Sequence, residues 1–248
     1  MTRNICLVIE YDGTRFSGWQ KQSRDRKSRT IQEEIEQSGK KLFGKKIRLI
    51  GAGRTDTGVH AEAQVANFKV SSRLPLSNIK KGLNSYLPKD IAILSAEDAS
   101  LDFHSRFNAK GKLYRYTILN QDTRSPLIDR YSSRVVYDLD INLMKSSARC
   151  FVGKKDFKSH QASDKKNRTS IRTIKRLDIV VNPPMIDIYV QADGFLYNMV
   201  RNIVGTLIEV GRGKISTKEV KKIIAKKDRR LAGPTAPAKG LCLVKVIY

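Results

Sequence analysis

The sequence predicts an α+β protein of two ferredoxin-like halves, each running β-α-β-β-α-β, with mainly antiparallel sheets that meet at a central cleft. Three observations carry that expectation. Short β-branched runs alternate with helical spacings along all 248 residues. The order of elements in the first half returns in the second. The longest apolar stretches, such as Cys6 to Ile9 and Ile91 to Leu94, fall far short of the ~20 residues that cross a bilayer, so no membrane partner is expected.

In the first half, strands are expected near 4–11, 46–51, 64–70 and 91–97, where β-branched residues run between turn signals. Thr30-Ile31-Gln32-Glu33 has capping-box spacing, in which hydroxyl and carboxylate satisfy orphan amides, and Ile31, Ile35 and Leu42 follow at helical intervals. A second helix covers about 76–86. The second half reads as strand 112–119, helix 139–152, strands 171–181 and 185–192 joined at Asn182-Pro183-Pro184, a helix from about 195 and a final strand 241–247. An added short helix starts at Ser216-Thr217-Lys218-Glu219, with Val220, Ile223 and Ile224 as its apolar stripe. The halves share element order without a residue-level repeat. The domains are therefore drawn as 1–105 and 106–248, with a junction near 100–111 where ligand sites preferentially form.

Lys and Arg number 48 against 24 Asp and Glu, a formal charge of +24, which points to a polyanionic partner. At 40% hydrophobic residues the chain can build a core, and global disorder is excluded. Met1-Thr2-Arg3 leads directly into the strand-like Ile5 to Ile9, too short for a signal segment, so a cytoplasmic protein is expected. Cys6, Cys150 and Cys242 are odd in number and far apart, which reads as reduced, buried thiols, with neither a disulfide framework nor a zinc site.

The densest chemical signal is Gly51-Ala52-Gly53-Arg54-Thr55-Asp56-Thr57-Gly58-Val59-His60-Ala61. A Rossmann loop would need glycine where Asp56 stands, and a carboxylate there repels pyrophosphate. A P-loop would need Lys-Ser/Thr after Gly58, where Val59-His60 follows. His60-Ala61-Glu62 matches half of a zinc deaminase motif, but the chain has no Cys-x-x-Cys to complete it; His60 and Glu62 also read as solvated loop or strand-edge residues. What remains is one carboxylate among glycines, two residues after Arg54. A neighbouring guanidinium favours the ionised carboxylate, so Asp56 could serve as a nucleophile. An Asx-turn clamped by Arg54 is the competing structural reading.

With these segments the chain resembles the TruA-type tRNA pseudouridine synthases from one end to the other. The resemblance rests on Gly51 to Ala61, Tyr11-Asp12-Gly13-Thr14 with Gly18-Trp19-Gln20, Thr30 to Glu34, and Lys112-Leu113-Tyr114-Arg115-Tyr116. It extends through Asp156-Phe157, Ile171 to Ile174, Phe195 to Arg201, and Gly233-Pro234-Thr235-Ala236-Pro237-Ala238 with Gly240-Leu241. It implies the pseudouridine synthase fold and an isomerase that detaches uracil from ribose, rotates it and rejoins it through C5, with no cofactor and no metal. The implied substrate is the tRNA anticodon stem-loop at positions 38, 39 and 40, bound by a homodimer. Matched by motif, Asp56 is the nucleophile, attacking C1′ or C6, and Arg201 pairs with it. Tyr114 faces the uracil, and Arg54 props open the space left when the base flips out.

Strand alternation puts Tyr114, Tyr116 and Ile118 on one face and Arg115 on the other, although a Tyr-x-Tyr strand is also ordinary half-buried sheet. Lys21 and Arg24 beside the first helix, and Lys154, Lys155, Lys165, Lys166 and Arg168 in the second half, read as phosphate contacts in loops, or as a solvated lysine-rich face. A further seven cations lie between Lys218 and Arg230. His160 stands where the family often has an aromatic, and it and His104 read as ordinary polar residues. Two alternatives remain: a tRNA-binding protein without catalysis, and a paralogous synthase acting on another RNA.

Overall fold

The computed structural model describes residues 2–20, 29–162 and 169–248. The chain divides into two compact units, one of residues 1–110 with 242–248 and the other of 111–241.

The first unit runs β1 (Thr2–Tyr11), α1 (Ile31–Phe43), β2 (Ile50–Gly51), β3 (His60–Ser71), α2 (Leu76–Tyr86) and β4 (Ile91–Ala99). The second runs β5 (Gly111–Asn120), β6 (Ser133–Val135), α3 (Ile141–Ala148), β7 (Gly153–Asp156), β8 (Ile171–Asn182), β9 (Met185–Ala192), α4 (Met199–Gly211) and α5 (Thr217–Lys226). Strand β10 (Leu241–Ile247) then returns to the first unit, where it runs parallel to β3 with Cys242 opposite His60.

In the first unit β1 is central, antiparallel to β3 on one side and β4 on the other. Its alternation sends Ile5, Leu7 and Ile9 into a core shared with Phe68 and with Ile31, Ile35, Ile79 and Leu83 of the two helices, all fully buried. Thr30 caps α1 by accepting the Glu33 amide, as the spacing predicts. The expected strand 46–51 contracts to β2. Glu36 Oε1 accepts the Leu49 amide at 2.9 Å and Gln32 Nε2 donates to the Leu49 carbonyl at 3.2 Å, so side chains of α1 take the bonds a strand neighbour would have made.

The second unit's sheet has the order β5-β9-β8-β7, antiparallel throughout, with β6 parallel on β5. Helix α4 buries Met199, Val200, Ile203, Val204 and Leu207, the stripe its sequence spells out. Ser216 and Glu219 close the capping box of α5 in both directions. The helix expected over 139–152 is α3 followed by a 3₁₀ turn, Arg149–Phe151. Residues 153–156, expected as loop, form the edge strand β7 on β8, so Lys154 and Lys155 are carried by a strand.

The three cysteines are free, as expected, but half-buried. Burial, and then the charge of Glu97, push the Cys6 thiol up to about 11. Among the described residues no helix is long and apolar enough to cross a membrane, and no cluster of His, Cys, Asp and Glu could hold a metal ion.

Candidate active site

Asp56 sits half-buried in the segment between β2 and β3. The Val59 amide donates to the Asp56 carbonyl at 3.1 Å, closing a four-residue turn whose third position is Gly58 at φ 76°. A type II turn requires positive φ there, which explains the glycine. The rest of the loop is held from β1, from the residues that follow it and from Gln64 on β3. The buried hydroxyls of Tyr11 and Thr55 share a hydrogen bond of 2.8 Å. The Trp19 amide donates to the Thr55 carbonyl at 3.1 Å, the Gly58 amide to the Phe16 carbonyl at 3.3 Å, and Gln64 Nε2 to the Gly53 carbonyl at 3.0 Å. Burial raises the Tyr11 phenol well above its ordinary range, so it stays protonated and able to donate.

Two glycines let these segments approach. A Cβ on Gly18, which has φ +87°, would lie 2.5 Å from the Thr55 carbonyl oxygen, and one on Gly13 would lie 2.0 Å from that of Val59. The Gly13 amide donates to His60 Nδ1 at 3.1 Å, and Asp12 Oδ1 lies 3.1 Å from the same nitrogen. His60 is thus buried at the start of β3, where the sequence reads equally as a solvated strand edge. Arg54 is exposed at the loop, while Tyr11, Phe16, Trp19 and Gln64 supply the bonds that hold it.

In the second unit Tyr114 is 7% exposed and packs edge-on against Phe195, with ring centroids 5.1 Å apart. Tyr116 and Ile118 are buried on the same face of β5 and Arg115 points to the other, as alternation requires. The Tyr116 hydroxyl donates to the Pro237 carbonyl at 2.9 Å, and burial pushes that phenol up to about 12. Arg201, in the first turn of α4, donates from Nε to the Ala236 carbonyl at 2.7 Å and from Nη1 to Asn198 Oδ1 at 3.0 Å. Its own carbonyl accepts the Ala236 amide at 3.1 Å.

Of the cations expected on phosphates, Lys21, Arg24, Lys165, Lys166 and Arg168 lie outside the described residues. In the 218–230 set, Lys227 pairs with Asp156 at 2.9 Å and Arg230 with Asp228 at 2.6 Å. Arg229 turns onto oxygens of its own unit, including Gly233 O at 2.9 Å. His160 is a core residue: fully buried, edge-on to Phe151 at 5.1 Å and 2.9 Å from Ser159 Oγ. Desolvation, and then the nearby charge of Arg229, push its imidazole down to about 3, so it is neutral. His104 Nδ1 accepts the amides of Arg106 and Phe107, and its ring lies 4.2 Å from that of Phe107, so it shapes the turn after β4.

A family model described as tRNA pseudouridine synthase matches residues 7–108 and 147–248. The tRNA pseudouridine synthase A 2 of Clostridium perfringens is 48% identical over 246 residues, 99% of this chain and 100% of that protein. The tRNA pseudouridine synthase A of a Thermoanaerobacter species is 46% identical over the same spans. The tRNA pseudouridine synthase A 2 of Clostridium tetani is 44% identical over 248 residues, the whole of both chains. With a family match across both units and end-to-end relatives at these identities, the chain belongs to the tRNA pseudouridine synthase family and is an isomerase.

Proposed function

We propose that this protein converts uridine to pseudouridine at positions 38, 39 and 40 of the tRNA anticodon stem-loop, with Asp56 as the nucleophile. The observation that carries the reading is the setting of Asp56. A half-exposed carboxylate stands on a loop anchored on both sides, through Thr55 and Gly58, so the nucleophile is accessible while its backbone is fixed.

The base flips out of the stem first, at a cost of a few kcal/mol. Arg54, exposed on the same loop, fills the space the base vacates. Asp56 attacks C1′ or C6, the C1′–N1 bond breaks, and uracil turns to present C5. The C1′–C5 bond then forms, displacing Asp56 if it holds C1′, or Asp56 is eliminated from C6 if it holds that atom; C5 loses its proton, N1 gains one and the carboxylate is regenerated, so the isomerisation balances without a co-reactant. The Tyr114 ring, fixed by Phe195, stacks on the uracil, and its hydroxyl assists loss of the C5 proton. Arg201 pairs with the Asp56 carboxylate and keeps it ionised.

Lys154 and Lys155 on β7 contact phosphates, as do Lys21, Arg24, Lys165, Lys166 and Arg168, and a homodimer holds one tRNA. Phosphate contacts of this kind set register on the RNA and leave sequence unread. Asp56→Asn tests the chemistry. Pseudouridine formation should fall by at least about a thousandfold while the Kd for tRNA stays within a few-fold, because the substitution deletes a nucleophile and not a phosphate contact. A binding protein without catalysis would form no pseudouridine even unaltered. For the substrate, pseudouridine should vanish from tRNA positions 38–40 in cells lacking the protein, and unchanged modification there would refute the assignment.

A further inference from the structure

The residues of 232–237 lie against the start of α4 and are bound to their surroundings along their length. The Gly233 amide donates to Thr206 Oγ1 at 3.0 Å and the Tyr116 hydroxyl to the Pro237 carbonyl at 2.9 Å. Thr235 Oγ1 donates to Asn202 Oδ1 at 2.7 Å. Ala236 exchanges bonds with Arg201, its amide to the Arg201 carbonyl and its carbonyl from Arg201 Nε. Separation from the helix has no slack. A Cβ on Gly205 would lie 1.7 Å from the Pro234 carbonyl oxygen, and one on Gly233 would lie 2.6 Å from the Gly205 backbone.

The connector at the centre is Arg229. Its Nη1 donates to the carbonyls of Ala232 at 3.2 Å and Gly233 at 2.9 Å, and its Nη2 to Asn202 Oδ1 and Thr235 Oγ1, each at 3.0 Å. All four acceptors are neutral oxygens, and desolvation lowers the Arg229 pKa. The cation is only partly withdrawn from water, and no anion is in this contact set, so charge pairing is not what these contacts supply. The fork geometry is what it supplies, since one planar guanidinium ties the loop at three residues and the helix at a fourth.

We propose that Arg229 and Thr235 are positioning residues for Arg201: by fixing the 232–237 loop against α4, they hold the Ala236 carbonyl where it orients the Arg201 guanidinium. The inference rests on the reading above that Arg201 serves the reaction. With Nε on Ala236 and Nη1 on Asn198, the guanidinium plane is set from two sides. Removing the Thr235 hydroxyl frees the residue next to Ala236, and the plane tilts.

The test is a set of single-turnover rates of pseudouridine formation in tRNA, with tRNA Kd and thermal midpoint measured on the same preparations. Thr235→Val should slow the step about 10- to 100-fold, the scale of a misplaced catalytic group, with Kd within twofold. Thr235→Ser, which keeps the hydroxyl, should restore the rate to within twofold. Arg229→Lys, which keeps charge and loses the fork, should match Thr235→Val, and it carries the test if the valine variant fails to fold. In an Arg201→Ala background, Thr235→Val should add no further loss, because it acts only through Arg201.

A full rate for both variants, or an equal slowing with and without Arg201, would overturn the positioning role and leave the proposed activity standing. An unaltered protein that forms no pseudouridine, or an Arg201→Ala enzyme at full speed, would overturn the reading of Arg201 and this inference with it.

Discussion

The Tyr11 hydroxyl ends on Thr55, one residue from the proposed nucleophile, and both are buried. Tyr11→Phe leaves the Thr55 hydroxyl without that partner, which should cost about 1–3 kcal/mol in urea unfolding and slow pseudouridine formation without weakening tRNA binding. His160 makes the opposite kind of demand, since it must stay neutral. Burial pushes its pKa down from the ordinary 6.5 to about 3, so below pH 6.5 the unfolded chain binds a proton the folded one refuses. Its contribution is full above pH 6.5 and falls toward pH 3, by up to about 1.4 kcal/mol per pH unit. Denaturant midpoints should drop from pH 7 to pH 4, and His160→Phe should flatten that slope. Neither partnership is legible in the sequence. Tyr11 and Thr55 are 44 positions apart, and His160 lies between polar neighbours that give no hint of a core position.

Helix α4 and the 232–237 loop approach so closely that Gly205 has no room for a methyl group. Gly205→Ala should therefore destabilise the fold by about 1–3 kcal/mol or more, against the ~1 kcal/mol that helix propensity alone would add. The shift in urea midpoint gives the sign. Elements with long, regular patterns were readable in advance: 76–86, 185–192 and 241–247 are the bounds of α2, β9 and β10. The strand at 46–51 was over-read because Ile47, Leu49 and Ile50 carry strand composition, and only the side chains of α1 decide that most of it is not a strand. Strands β6 and β7, of 3 and 4 residues, have too few positions for a period to register. For the proposed site, Asp56, Tyr114 and Arg201 come from motif resemblance, whereas Arg229 stands among the cations of 218–230, where charge alone does not reveal a half-buried fork.

The whole chain carries +24, and that charge belongs to the molecule more than to any one lysine. The Kd for tRNA should weaken on the order of a thousandfold between 50 and 200 mM salt if about six or more phosphates are contacted, with a linear log–log plot from filter binding. Lys154→Ala should make that slope shallower by about one ion while leaving the single-turnover rate at saturating enzyme unchanged. The order in which the parts are made matters too. β10 pairs beside His60, at the base of the segment bearing Asp56, and it follows the whole of the second unit in the chain. A ribosome has therefore to translate all of 111–241 before that flank can be sealed. Until then β3 lacks its parallel neighbour beside His60, so this edge of the first unit is the last to close as the polypeptide emerges.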